Sequence, residues 1–319
     1  MNKLGLAAIL FLSACGVSAD DGFLGDSDGG GGTDGGFGLP DSGQPPVQGV
    51  CSKMDILFVI DDSGSMGEEQ GNLAQNFPLF IEALDNFNDG SLDYRVAVTT
   101  TGRDVDYLLD ISIPLPGFPP LDPIPMSESG DNGVMRQECG MTSRWIDRSD
   151  TDVASTFSCV AAVGTGGPAL EMPLYATQLA LGARMTDGTN SGFLREDSLL
   201  GVIILTDEDD CSRTDNDFTI QGDQCGENNP DYLPVSDTIN FLDALTGERG
   251  RWATAVIAGP SSCESSFGTA SAALNLQNFV TQTGENAVFS SICSGNLVAP
   301  LEEALAKFDA ACQGFPEID

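Results

Sequence analysis

The chain of 319 residues contains no histidine. That absence removes the side chain most used for proton transfer near neutral pH. It excludes a Ser-His-Asp triad and takes away the imidazole on which most zinc, copper and haem sites depend. Basic residues are scarce: 13 Lys and Arg stand against 48 Asp and Glu, for a formal net charge of −35. A surface of that sign repels nucleic acid and anionic headgroups and attracts cations. No two of the cysteines have CxxC spacing, and their wide separation argues against a cysteine metal cluster. The apolar run Leu4 to Leu12 is too short to span a bilayer. The metal chemistry left open is that of oxygen ligands, which suit Mg, Mn or Ca.

The N-terminus "MNKLGLAAILFLSACG" has the layout of an export signal, with Lys3 before the apolar run. Its ending, "LSAC", resembles the lipobox of bacterial lipoproteins. An ordinary signal peptide is the alternative, but Leu12, Ala14, Cys15 and Gly16 all fit the lipobox. The resemblance implies that residues 1–14 are removed and that Cys15 carries the lipid. With Gly16 rather than aspartate after the cysteine, it also implies the outer membrane. The chain is thus expected to be exported and held in the cell envelope by its N-terminal lipid. Nine cysteines less Cys15 leave eight, an even number that suits four disulfides in an oxidising compartment. Proximity suggests Cys139–Cys159, Cys211–Cys225 and Cys263–Cys293, with Cys51–Cys312 clamping the two ends of the folded region.

Residues 15–50 read as the lipidated cysteine and a Gly/Asp-rich linker without Lys or Arg. Such a solvated coil has a reach of roughly 30 Å. It shows no nonapeptide period of the kind that binds calcium. From 51 to 319, strands and helices alternate. "DILFVI" (55–60), "YRVAVTT" (94–100), "LLGVIILTD" (199–207), "WATAVIAG" (252–259) and "NAVFSSI" (286–292) are apolar enough for buried strands. Helices are expected over 72–87, where Pro78 should kink or shorten the helix, and over 152–162, 169–183, 235–247, 273–284 and 297–312. The Pro-rich residues 101–150 read as an irregular surface insertion. The expected fold class is α/β, a doubly wound, mostly parallel sheet flanked by helices and braced by disulfides. It forms one domain over 51–319 whose ligands bind beyond the C-terminal strand ends.

Three segments carry oxygen donors. "DDSGS" follows the first strand and offers Asp61, Ser63 and Ser65 at alternate positions, which point the same way in an extended turn. Thr165 lies in the glycine-rich "VGTGGPALE". Asp207 closes "VIILTD". Together they make a hard-ligand set for a divalent cation. Ser65 with Glu68 also reads as a helix capping box, which leaves Asp61 and Ser63 unexplained. "GTGG" also reads as a helix-entry turn. Asp62, Glu208, Asp209 and Asp210 are possible auxiliary acids that could strengthen a cation site or form a solvated acidic loop. Glu171, one turn beyond the glycines, either faces the site or lies at the surface, and the surface position is the one expected.

The order "FVIDDSGSM", "VGTGG", "VIILTDEDD" resembles the von Willebrand factor A (VWA) domain with its metal-ion-dependent adhesion site (MIDAS). The resemblance covers about 51–312, with the insertion outside it. It implies a Rossmann-like fold. It also implies that Ser63 and Ser65 hold the cation directly, while Asp61, Thr165 and Asp207 act directly or through water. A carboxylate from a protein ligand would complete the sphere. The function expected is therefore non-enzymatic: metal-binding adhesion, or protein binding, at the envelope, with no nucleic-acid partner. A structural envelope lipoprotein that binds partners without metal is the alternative. A metal-assisted hydrolase lacks an evident base and nucleophile.

Overall fold

A computed structural model describes residues 51–111, 121–220, 231–265, 268–295 and 297–316. The signal segment, Cys15 and the linker lie outside the described residues, as do Cys225 and part of the Pro-rich stretch. Among the described residues no helix is long and apolar enough to cross a membrane.

The first strand, β1 (Lys53–Ile60), is buried along nearly its whole length. The apolar run predicts this, because both of its faces need covering. Met54, Ile56, Phe58 and Ile60 point to one face and Leu57 and Val59 to the other, each set belonging to a separate core cluster. On the first face Phe58 meets Phe77 and Phe80 of α1 (Gly67–Asn86) and Phe157 of α2 (Val153–Val160), at ring-centroid distances of 5.8, 5.3 and 4.8 Å. Such aromatic clusters make truncation of Phe58 to Ala worth about 3–5 kcal/mol. α1 runs uninterrupted through Pro78, which lies on its solvent side. The helix is therefore not shortened at Pro78.

β2 (Asp93–Thr100) pairs parallel with one edge of β1. The chain then leaves the main sheet. β3 (Val105–Leu109) and β4 (Ile124–Glu128) form an antiparallel pair, and β5 (Ile146–Asp147) returns to pair antiparallel with β2. The insertion is thus partly ordered, against the expectation of irregular structure. After α2 comes α3 (Pro173–Gln178), which begins at Pro173 rather than near 169. It continues through a π-helical turn (Leu179–Ala183) into α4 (Arg184–Thr186). β6 (Leu199–Leu205) pairs parallel with the other edge of β1. β7 (Phe218–Ile220) joins β3 to complete the small sheet. α5 (Val235–Thr246), β8 (Trp252–Ala258), the β9 (Cys263–Ser265) and β10 (Gly268–Ala270) hairpin, α6 (Leu274–Thr283), β11 (Ala287–Ser291) and α7 (Val298–Gln313) follow.

The main sheet has the order β11-β8-β6-β1-β2-β5 and is parallel except for β5. Helices α1, α2 and α7 cover one face and α3, α5 and α6 the other. Disulfides Cys51–Cys312, Cys139–Cys159 and Cys263–Cys293 are present as expected. The chain passes from β1 to β2 on one side and reaches β6 on the other. The C-terminal edge between β1 and β6 is therefore the point where strand order reverses, and a crevice opens at such points.

Candidate functional site

The parallel register sets Ile60 beside Thr100 on one side and Leu205 on the other. The residues that follow each strand, Asp61, Thr101 and Thr206, therefore emerge together. Asp61 is wholly buried. Its backbone N–H donates to the Leu205 carbonyl at 2.9 Å. Its Oδ1 accepts the Ser63 N–H at 2.7 Å and its Oδ2 accepts the Thr206 hydroxyl at 2.7 Å. This fixes the turn, so that the Ser63 and Ser65 hydroxyls lie 3.0 Å apart. Ser65 and Asp207 line the same pocket at this edge. Asp61, Ser63, Ser65 and Asp207 thus converge, from positions nearly 150 residues apart.

The capping-box reading does not hold. A short 3-10 turn (Gly64–Met66) precedes α1, and no side chain caps either element. Both serine hydroxyls remain available to a ligand.

The glycine-rich loop reaches the same edge through Gln70, which sequence reasoning missed. Its amide donates to the Asp61 carbonyl at 3.1 Å and to the Gly164 carbonyl, and accepts from the Gly164 N–H at 3.0 Å. Gly167 donates its N–H to the Asp62 carbonyl at 2.8 Å. The Asp62 carboxylate lies over it so closely that a Cβ at Gly167 would stand 2.2 Å from Oδ1. Thr165 is exposed, with its methyl near the start of α1 at Gly67. It borders the cluster from the side of α1.

Two of the expected auxiliary acids do other work. Asp209 accepts the N–H groups of Asn275 and Leu276 and so caps α6, while Asp210 accepts the N–H of Leu174 and caps α3. A cap supplied from a distant segment leaves no local sequence mark. Asp62 and the half-buried Glu208 remain at the edge. Glu171 is not at the surface. Only 1% of it is exposed, and its neighbours are Asp61 and Glu208.

Asp61, Asp62, Glu171 and Asp207 are each harder to ionise than usual. Burial, followed by the charge of Asp61, raises Asp207 to about 7. Burial, with Asp131 and Asp61, raises Asp62 to about 6. Burial raises Asp61 despite its hydrogen bonds from Thr206 and Ser63. Glu171 is pushed well above the carboxylate range by burial, then by Asp61 and Glu208. Among the described residues no Lys or Arg forms an ion pair with Asp61, Asp62, Glu171 or Asp207. Among the described residues, the buried carboxylate oxygens that lack a hydrogen-bond partner are Asp62 Oδ1, Glu69 Oε2, both oxygens of Glu171, and Asp207 Oδ1. All belong to this edge of the sheet. Native proteins rarely leave such groups orphaned without an ion, water or ligand to meet them. No three Asp, Glu or Cys side chains among the described residues are grouped closely enough to hold a metal by themselves. The donor set is mixed, with carboxylates and serine hydroxyls, and it fits a hard divalent cation.

An open groove of about 440 Å³ leads away from Ser65 and Asp207. Glu208, Glu264, Thr269 and Ser271 line it. The Cys263–Cys293 bond ties its β9–β10 wall to the residues after β11.

No family model matches the chain, and no curated protein matches it. Among solved structures it is similar to proximal thread matrix protein 1 from the mussel byssus (15% identity, TM-score 0.39), covering 83% of this chain and 47% of that one. It is also similar to the human COPII-coat protein Sec24c (10%, TM-score 0.41; 83% and 33%). The pilus adhesin SpaC from Lactobacillus rhamnosus GG gives 12% and a TM-score of 0.43, with coverage of 83% and 30%. The chain thus spans less than half the length of these neighbours. Likenesses this distant carry no argument about what it does.

Proposed function

We propose that the chain is a VWA-type module that binds a protein ligand through a divalent cation, with no catalytic step. It would be held in the bacterial envelope, at the outer membrane, by a lipid on Cys15, with residues 15–50 as a tether for the binding domain. The observation that carries the binding reading is the set of buried, partner-poor carboxylates at the strand-order reversal, with two serine hydroxyls and no basic residue among them. Ser63 and Ser65 would hold the cation directly, and Asp61 and Asp207 directly or through water. A cation bound there supplies positive charge and an open coordination position at the head of the groove. The chain's own residues do the rest: Thr206 and the Ser63 N–H orient Asp61, and Gln70 ties the glycine loop to it. A carboxylate of the partner fits the open position.

A metal-independent structural role has one observation in its favour. Ile111, Leu121 and Ile124 are exposed together around β4 in the small sheet. A thermal melt separates the two readings. With millimolar Mg, Mn or Ca the purified protein should melt several degrees higher than in chelator, and Asp61→Ala should abolish the shift. Ligand at about 100 times its Kd contributes about 2.7 kcal/mol. Identical melts with and without each cation would remove the metal reading and leave the β4 surface as the place to look.

A further inference from the structure

The resemblance places Thr165 in the middle loop of the site, yet the structure buries a different residue of that segment. The backbone at Glu171 is pinned on both flanks. Its carbonyl accepts the Cys211 N–H at 2.8 Å, and the next residue, Met172, donates to the Thr101 carbonyl at 3.2 Å. Asp210 then caps Leu174 at 3.0 Å. These bonds hold the start of α3 between the exits of β2 and β6, and they turn the Glu171 side chain inward. Its carboxyl is 1% exposed and faces Asp61 and Glu208. Neither oxygen has a donor when ionised. The Glu208 carboxyl can share a proton with it but offers none once both are charged. A buried, unpaired carboxylate is costly, and among the described residues no donor or cation offsets this one.

We infer that Glu171, and not Thr165, is the glycine-rich segment's contribution to cation binding, acting as an outer carboxylate that pairs with the cation's charge through its bound water. This rests on the cation reading proposed above. The outer position follows from the absence of three convergent carboxylates, which leaves the direct places to the serines, Asp61 and Asp207. Glu171 is thus a positioning and charge-balancing residue. It also explains why a site with so few direct carboxylates can attract a doubly charged ion: the additional negative charge lies behind the first ligands.

The test is a Mn or Mg titration of the full mature protein, read by thermal shift and by equilibrium metal binding, for wild type, Glu171→Gln and Thr165→Ala. Glu171→Gln should weaken the cation midpoint at least tenfold, with less than a threefold change for Thr165→Ala. In chelator Glu171→Gln should melt at or above wild type, because the amide removes a repelled charge and offers donors to Asp61 and Glu208. A purely structural role would lower both melts equally. Glu171→Asp, which keeps the charge on a shorter stem, should recover part of the affinity. A Glu171→Gln protein that titrates like wild type, or that fails to fold in chelator, overturns the inference. A wild type that binds no cation overturns the underlying reading instead.

Discussion

Strand β1 buries a carboxylate at each end, and the two ends treat it differently. Asp55, near the N-terminal end, and Asp61, just past the C-terminal end, are both fully buried. Asp55 receives the Arg195 guanidinium at 2.9 Å, the Arg195 N–H at 2.7 Å and the Ser198 hydroxyl at 2.6 Å. Burial raises its pKa above the ordinary value, and these partners offset only part of that rise. Asp61 receives a backbone N–H and a hydroxyl, and its charged neighbours are carboxylates. One edge of the sheet neutralises its buried charge from within. The other uses neutral donors to orient its carboxylates and leaves their charge to something from outside. Within one strand, this separates an acid paired inside the fold from acids that, on the reading proposed above, meet a cation.

The largest break in that contrast is Arg195→Met. Removing the cation from Asp55 should cost about 3–5 kcal/mol in denaturant unfolding, whether or not divalent cation is present. A loss well under 1 kcal/mol would show that Asp55 is not held by charge pairing. A graded, smaller effect comes from pH. Because Asp207 and Asp62 titrate at about 7 and about 6 in the folded chain, against 3.8 when unfolded, the folded state holds more protons across that window. Stability in chelator should therefore fall as pH rises from about 4 to about 7, and saturating cation should flatten the slope. Surface acids lowered by their partners, such as Asp243 beside Arg249, act below that window. Melts at pH 5 and pH 7.5 decide it, and a rise with pH in chelator would contradict the assignment. The smallest effect is Ser65→Ala. It should leave stability in chelator within about 0.5 kcal/mol while weakening the cation midpoint. A larger loss in chelator would move Ser65 from the ligand set to the fold.

Much of the framework was readable in advance, for a physical reason. Strands buried on both faces must be apolar throughout, so 55–60, 199–205 and 252–258 stand out. Turn residues that must offer oxygen together do so at alternate positions, as Asp61, Ser63 and Ser65 do. What stayed hidden depends on segments meeting across the chain. Asp209 and Asp210 look like the rest of an acidic loop until α6 and α3 are in place to be capped. Glu171 follows "GGPAL" with no periodicity to say that it turns inward. Gln70 looks like any polar residue on a helix, and nothing local predicts that its amide joins Asp61 to Gly164. The small sheet β4-β3-β7 arises because residues 218–220 pair with a strand more than 100 positions earlier. A Pro-rich composition cannot announce such a pairing.

The bond between Cys51 and Cys312 lies at the edge of the sheet away from the groove, where the chain enters β1. A pull between that entry and a partner gripped at Asp61 would run lengthwise along β1. This strand has a parallel ladder on each side, with β2 and with β6. Tension would load both ladders in shear at once and would not peel them one bond at a time. The covalent link keeps α7 fastened to the same point. The strand that leads into Asp61 thus shares such a load between two neighbours.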